Sequence, residues 1–519
     1  MILVGELALW VALLMAAWGA IVLFSGGSAA RPELIASGER ALQATFACVV
    51  LATAGLLVAL TTSDFSVAYV AAVTTANLPL GYKIVALWAG QAGVLLSWTL
   101  ALSTCAAIAV ATSRGRHRVV APYVGGTLSL VLLCFLALLC LGANPYERLT
   151  SIPAEGRGMH PGLQHPGMAA HPLALYVGCV ATAIPFAFAI GALLARHLDD
   201  DWPVAVRRWG SVSWFFMTTG IIAGMWWGYV EPHRGWSWAL RPVANLSVLP
   251  WLSMTIFLWL APSIERHGVT AARNMLLVIL AFPLSLMTTF ATGRSTVVGA
   301  STSISSDLKD WFIAFLAVAV LAVAYLLATR MSALERTQVT KARGEEMTLL
   351  PTRGRDIGRQ VLRAGGIIFV VALAGLAFRR ERTVSLRPGE VVTLVDPYRR
   401  EWTFASQGVS RYAQLNRGVD AVAVRAVRSG TPVGLVRSEQ RQYVDARGVP
   451  TFEPTIEAGI HHSLLEDTYV VLANVIGDRA ELRIAFNPLA TWVWIGGLAI
   501  AIGGTMVTWP PGRPLTSAA

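Results

Sequence analysis

The chain has 519 residues, of which 55% are hydrophobic and only 14% charged; roughly 25% charged is usual for a soluble domain, so an ordinary cytosolic protein is excluded. The formal charge of +11 does not point to nucleic acid, because Lys and Arg gather in short loops between apolar runs, where positive charge sets topology. Cys48, Cys105, Cys134, Cys140 and Cys179 lie in apolar segments without a CxxC or CxxCH pair, which argues against a disulfide scaffold, a thiol redox centre or covalent haem on this chain.

Nearly charge-free runs such as Ile2 to Phe24, Ala121 to Cys140, Met275 to Phe290 and Trp492 to Val507 are long enough to cross ~30 Å of hydrocarbon as helix. The predicted fold is a polytopic α-helical membrane protein of about eleven spans, near 2–25, 40–61, 84–112, 121–142, 171–195, 209–230, 247–264, 273–292, 311–329, 362–378 and 489–508. The first run lacks a basic flank and is too long for a signal-peptide core, so it reads as a span, with cleavage after Ala30 as the alternative. Alternate loops carry Arg31 and Arg40, then Arg114, Arg116 and Arg118, then Arg196, Arg207 and Arg208, then Arg266 and Arg273, then the stretch from Arg330 to Arg363. Positive loops stay inside, which predicts an outer N-terminus and a cytoplasmic C-terminus. The stretch Lys341 to Arg363 reads as a stop signal or a contact for anionic membrane lipid.

Three outer segments exceed simple connectors. Asn144 to Ala170 is a Pro- and His-bearing loop long enough to call for function or disorder. Glu231 to Asn245 carries Trp. Residues 379–487 alternate polar and apolar over Thr383 to Val395, Ala421 to Val427, Gly434 to Val444, Tyr469 to Ile476 and Ala480 to Phe486, broken by turn residues, and predict a small extracytoplasmic β-rich domain. The expected division is a helical bundle with a Trp-rich outer loop (1–378), the β-rich domain (379–487), and a last span with a cytoplasmic tail (488–519). No internal repeat, phosphate-cradling glycine loop, HExxH or nucleophile elbow is found.

Trp88-Ala-Gly-Gln-Ala-Gly-Val-Leu-Leu-Ser-Trp98, Asn144-Pro-Tyr-Glu-Arg148, Glu155-Gly-Arg-Gly, Leu163-Gln-His-Pro-Gly-Met168 and His171-Pro-Leu-Ala-Leu-Tyr176 are followed by Gly224-Met-Trp-Trp-Gly-Tyr229, Asp467-Thr-Tyr469, Asn487-Pro-Leu489 and Trp494-Ile-Gly-Gly497. In these motifs the chain resembles the CcmF family, haem-handling membrane subunits of bacterial cytochrome c maturation. The resemblance implies haem received on the outer face from a haem chaperone, held beneath a Trp-rich loop, and joined to the CxxCH thiols of apocytochrome c; thioredoxin-like maturation proteins are the further partners. Indoles stack on porphyrin, imidazoles ligate iron and arginines pair with propionates.

The haem-site residues so implied are His171, Trp226, Trp227, Trp236, Trp238, Trp251, Arg241 and Arg294, with His171 as iron ligand. The chain also departs from the family. The pattern Trp-Gly-Trp-Asp-Pro-Val-Glu-Asn stands as Trp238-Ala-Leu-Arg241-Pro-Val-Ala-Asn245, so a cation replaces an anion. Of four expected histidines only His171, read as the first of the membrane pair, is found; its partner falls at Trp259 and the outer two fall in Gly299-Ala-Ser-Thr-Ser303 and near Ala485-Phe486. His160, His165, His233, His461 and His462 are the candidate substitutes, and spans expected between Arg330 and Arg353 are missing.

Simpler readings stand beside these. His171 before Pro172 reads as a helix cap, the indoles as an interfacial girdle, Arg241 as a snorkelling side chain, and Glu147 and Glu155 as loop-bonding groups. Two alternatives to haem attachment remain: a non-catalytic paralogue acting as an assembly or docking subunit without haem, and a transporter of haem or another amphipathic molecule. The few charges within the spans argue against the transporter.

Overall fold

The computed structural model describes residues 1–113, 118–197, 202–231, 247–267, 271–292, 313–314, 316–317, 320–329, 353–414, 416–445, 447–450 and 452–508. Long apolar helices dominate the first part: α1 (Ile2–Ala29), α2 (Pro32–Thr61), α5 (Gln91–Ser113), α6 (Ala121–Leu141), α7 (Pro166–Ala181), α8 (Ala183–Ala195), α9 (Trp202–Val230), α10 (Val248–His267) and α11 (Ala271–Thr292), with short helices α3 (Ala68–Val73) and α4 (Leu80–Val85) between α2 and α5. Val320–Thr329 forms α12, Arg353–Leu376 forms α13 and Ala490–Thr508 forms α14. Among the described residues, seven helices are long and apolar enough to cross a membrane; the fifth of them runs Ala169–Ala195 through both α7 and α8.

Several expected boundaries move. The third span begins at Gln91, because residues 80–88 turn through α4 and one 3-10 turn first. The fifth starts at Pro166 with His165 as its N-cap, so the reading of His171 as a cap fails and Pro172 lies inside the helix. As the seventh helical residue, Pro172 lies beyond the N–H groups left unpaired at the helix start and removes one i→i−4 hydrogen bond.

The Asn144–His165 loop is ordered. Ala68 N donates to Glu147 O (2.8 Å), Leu149 N to Ser66 O (2.9 Å) and Arg157 N to Ala71 O (2.8 Å). Glu155 Oε1 accepts from Ala76 N (2.8 Å) and Gly156 N (3.0 Å), the loop-bonding role expected of it. Met159 and residues 161–165 are buried, so this segment is a packed wall rather than a solvated tether.

Between α13 and α14 the chain forms a β-sandwich. One sheet has the order β1-β9-β8-β7 and the other β2-β3-β4-β5-β6, with β1 Arg380–Leu386, β2 Val391–Val395, β3 Glu401–Gln414, β4 Arg417–Arg428, β5 Thr431–Tyr443, β6 Thr455–Glu457, β7 Gly459–His461, β8 Glu466–Ile476 and β9 Arg479–Pro488. The alternating stretch expected over Thr383 to Val395 is two strands in different sheets, divided by the Pro388-Gly389 turn, where Gly389 takes φ +80°. Trp402, Phe404, Val424, Leu472 and Phe486 fill the space between the sheets. The helical core is separate and includes Trp98, whose ring packs on Phe135 (6.3 Å) and Tyr176 (5.8 Å).

Candidate functional site

Helices α7 and α9 approach through glycine. A Cβ on Gly178 would fall 2.5 Å from Met217 N, one on Gly220 2.8 Å from Leu175, one on Gly224 2.5 Å from His171 Cε1, and one on Gly167 2.8 Å from Trp227. Small residues bring two membrane helices close enough for side chains of one to meet the backbone of the other. His171 Nδ1 consequently lies 2.7 Å from Gly220 O, with its ring 5.9 Å from that of Trp227. A carbonyl can only accept, so Nδ1 carries the proton and the lone pair of the neutral ring is on Nε2. That is the tautomer an iron ligand needs, oriented by a backbone acceptor.

The neighbouring aromatics take different positions. Trp227 is buried against α7, whereas Trp226, one residue earlier on the helix, is 37% exposed and lies 5.6 Å from the His165 ring. Trp251, in the first turn of α10, donates to Thr218 Oγ1 (2.8 Å) and stacks on Trp214 (6.4 Å). Of the five indoles expected to form a platform, the three described ones, Trp226, Trp227 and Trp251, thus have different surroundings. Trp236, Trp238, His233, Arg241 and Arg294 lie outside the described residues.

His160 and His165 act as caps. Their Nδ1 atoms accept from Gly162 N (3.2 Å) and Gly167 N (3.0 Å), which uses the Nδ1 lone pair and puts the proton of the neutral ring on Nε2. Burial pushes the His165 pKa down; the Glu231 carboxylate opposes this and the Arg441 guanidinium adds to it. His461 is on edge strand β7. Burial lowers its pKa, and Arg428 lowers it further.

His462 belongs to a latch at the C-terminal end of α9. The buried Asp467 carboxylate accepts from Tyr229 OH (3.0 Å), His462 Nδ1 (2.9 Å), Thr491 Oγ1 (3.1 Å) and Ser463 N (3.3 Å). Asn487 Nδ2 donates to Tyr229 OH (3.1 Å), and Tyr469 OH to Tyr229 O (2.9 Å). At the other end of α9, buried Arg207 donates through Nε to Thr508 O (2.8 Å), a cation on the carbonyl end of α14. The α9 N-terminus and α14 C-terminus thus share one side of the bundle and the β-sandwich sits on the other.

Two family models match in tandem: a cytochrome C assembly protein over residues 44–296 and the CcmF C-terminal beta-sandwich over 377–488. The chain belongs to the CcmF family. CcmF of Pseudomonas fluorescens is 28% identical over 97% of this chain and 95% of its own length. That alignment runs to 637 positions against 519 residues here, so the relative carries segments that this chain lacks. Ccl1 of Rhodobacter capsulatus, a cytochrome c-type biogenesis protein, is 36% identical over 58% of this chain, which spans about half (46%) of that relative. A solved structure titled cytochrome c heme lyase CcmF shares the fold with TM-score 0.75 and 22% identity over 98% of each chain.

Within this CcmF-family chain the positions of the missing histidines differ in kind. Trp259 is 72% exposed on α10, turned away from the bundle interior. Ala485 and Phe486 lie inside β9, with Phe486 in the sandwich core. An open groove of about 530 Å³ lies on the β-sandwich face, lined by Arg411, Tyr412, Asp420, Gln440, Gln442 and Pro454, none of which is an iron ligand. Sequence reading passed over Gly220, Thr218 and the Tyr229–Asp467 latch. The available signal for the first was Gly220 and Gly224 at i, i+4, a small-residue stripe.

Proposed function

We propose that this multi-pass membrane protein handles haem as substrate on the outer face of a bacterial inner membrane, with His171 as its iron ligand, and assists attachment to apocytochrome c. The supporting observation is the His171 tautomer, fixed by Gly220 O at Nδ1 so that the lone pair of the neutral ring is on Nε2. Attachment adds a thiol's sulfur and hydrogen across a vinyl double bond. The chain's contribution is proximity and orientation, for which a rigid imidazole beside indoles is suited. The partners would be a haem chaperone that delivers, apocytochrome c that receives, and thioredoxin-like proteins that keep its thiols reduced. The three-part division at residues 378/379 and 487/488 serves this reading, with the β-sandwich as the partner-facing surface.

Titration of the purified full-length protein with hemin is the test. A five-coordinate, single-imidazole spectrum that disappears in His171→Ala is expected. Full-occupancy low-spin bis-histidine haem, or no binding, would overturn it. The exposure of Trp259 where a second membrane ligand was expected favours one rival, a haem-free assembly subunit, and absence of binding would select it. The proposed orientation has its own check: a reporter fused after Arg355 should be cytoplasmic and one after Arg437 exported.

A further inference from the structure

One end of the β-sandwich is joined to two spans. Helix α13 ends at Leu376 and β1 begins at Arg380, while β9 ends at Pro488 and α14 begins at Ala490. Glu466, the first residue of β8, pairs with Pro488, so β8 starts at this same end. Two turns close it, β2–β3 (396–400) and β7–β8 (462–465). Arg400 ties them together: its Nε donates to Asp396 Oδ2 (2.7 Å) and its Nη2 to Glu466 Oε1. Tyr398 OH adds a bond to Leu465 O (3.2 Å), and Arg380 Nη1 one to Asp396 O (3.2 Å).

The β7–β8 turn also grips the start of α14. Leu489 N donates to Leu465 O (2.9 Å) and Trp492 Nε1 to Leu464 O (2.7 Å). Leu464 and Leu465 are therefore level with the first turn of a membrane-crossing helix. That helix has only 19 residues, about 29 Å of rise against ~30 Å of hydrocarbon. It has no length to spare, so its first turn lies at the hydrocarbon boundary.

At this level Leu464 is 61% exposed and Leu465 51%, with exposed Tyr398 bonded beside them and exposed Phe378 following α13 at the same end. Single exposed leucines are ordinary on a surface in water. Here two adjacent ones, backed by an aromatic with its hydroxyl satisfied, are held at the depth where lipid begins, the setting that apolar and amphipathic side chains favour. We propose that Leu464 and Leu465, with Tyr398, form a foot by which the β-sandwich rests in the lipid of the adjoining leaflet. The same turn carries the latch residues His462 and Ser463, with Asp467 just beyond it, so the lipid contact and the latch share one loop.

The test uses the opposite end of β8 as its reference. Ile476 is 63% exposed and lies about 33 Å along the strand from Glu466 at ~3.3 Å per residue. Hydroxyl-radical footprinting of the purified full-length protein in phosphatidylcholine nanodiscs, read by mass spectrometry, should oxidise Ile476 and leave Leu464 and Leu465 protected. Equal oxidation or equal protection at the two ends overturns the assignment. A second measurement separates lipid from a protein cover. An NBD fluorophore on Leu464→Cys should be quenched by doxyl-labelled phosphatidylcholine and shielded from iodide; on Ile476→Cys the pattern should reverse. The wild-type chain, whose five cysteines lie in α2, α5, α6 and α7, gives the labelling background. Iodide quenching at position 464, or protection there without doxyl quenching, overturns the foot. Should Leu464→Cys fail to fold, the footprint of the unmodified chain decides.

Discussion

Helix α9 is held on two sides by opposite means. Against α7 the contact is neutral and steric: glycines remove volume and a peptide carbonyl orients His171. Against the β-sandwich it is polar, with one buried carboxylate collecting four donors. The first arrangement suits a low-dielectric interior, where a dipole orients a ring without the cost of burying a charge. The second lies at the C-terminal end of α9, where a buried carboxylate is accommodated because its hydrogen-bonding capacity is filled. The seam should therefore respond to volume and the latch to charge.

The largest effect is expected at the latch. Asp467→Ala leaves the buried Tyr229 hydroxyl, Thr491 and His462 without their shared acceptor, and removing one side of such a network costs about 3–5 kcal/mol. The full-length protein should show a lower apparent unfolding midpoint and protease sensitivity in residues 380–488. Tyr229→Phe removes one donor and should cost about 1 kcal/mol. Wild-type stability in Asp467→Ala would mean that the sandwich is held by packing alone.

Next is the seam. Gly224→Ala puts a methyl 2.5 Å from His171 Cε1 and 2.6 Å from Nδ1, so the ring must leave Gly220 O. Overpacking of this kind costs about 1–3 kcal/mol, and hemin binding should weaken with it. Gly366→Ala on α13 meets nothing within 4 Å and is the matched control. Equal behaviour of the two variants would break the claim that volume sets the His171 geometry.

How much of this was legible follows the same division. The apolar runs identified the helices, and alternation identified most of the sandwich, because both depend on local periodicity. Strand β3 was missed: Glu401–Gln414 carries Gly408 at φ +90° and a register shift between Ser406 and Val409, which interrupt the alternation. His171 was found through its motif. Its Gly220 partner is 49 residues away and a backbone carbonyl, which no side-chain pattern can signal. Arg207 was read as a topology charge, since its bond to Thr508 O spans 301 residues. Asp467, Tyr229 and Asn487 were visible as family motifs, but their meeting is a property of the tertiary fold.

The polar side can be sharpened by pH. Glu466 is buried beside Asp396, Arg400 and Tyr398, and burial first, then Asp396, pushes its pKa up to about 8 from 4.5; Arg400 opposes the rise. The native state holds this proton where the unfolded chain releases it, so stability from this group is full below about 4.5 and falls as pH rises through about 8. Asp396 is shifted the other way, its pKa lowered by hydrogen bonds from Glu466, Arg400 and Trp402 against the burial that raises it; its contribution is lost only in acid. Glu466→Gln should flatten the decline in unfolding midpoint between these limits. A slope unchanged from wild type would place the proton elsewhere.

The smallest effect is expected at His462, whose side chain is 55% exposed. Its hydrogen bond to Asp467 raises its pKa from 6.5, against desolvation that lowers it. A histidine whose native pKa is raised contributes stability fully below its unfolded value and loses that contribution as pH rises through the native one. His462→Gln should thus lower the unfolding midpoint at pH 5.5 and converge with wild type well above the native pKa. Asp467 retains Tyr229, Thr491 and Ser463 N as donors in either case, so the latch stays closed when the imidazole is neutral. A variant as weak as Asp467→Ala at high pH would show instead that the ring is a structural member of the latch, and the division between a volume-set seam and a charge-set latch would need redrawing around His462.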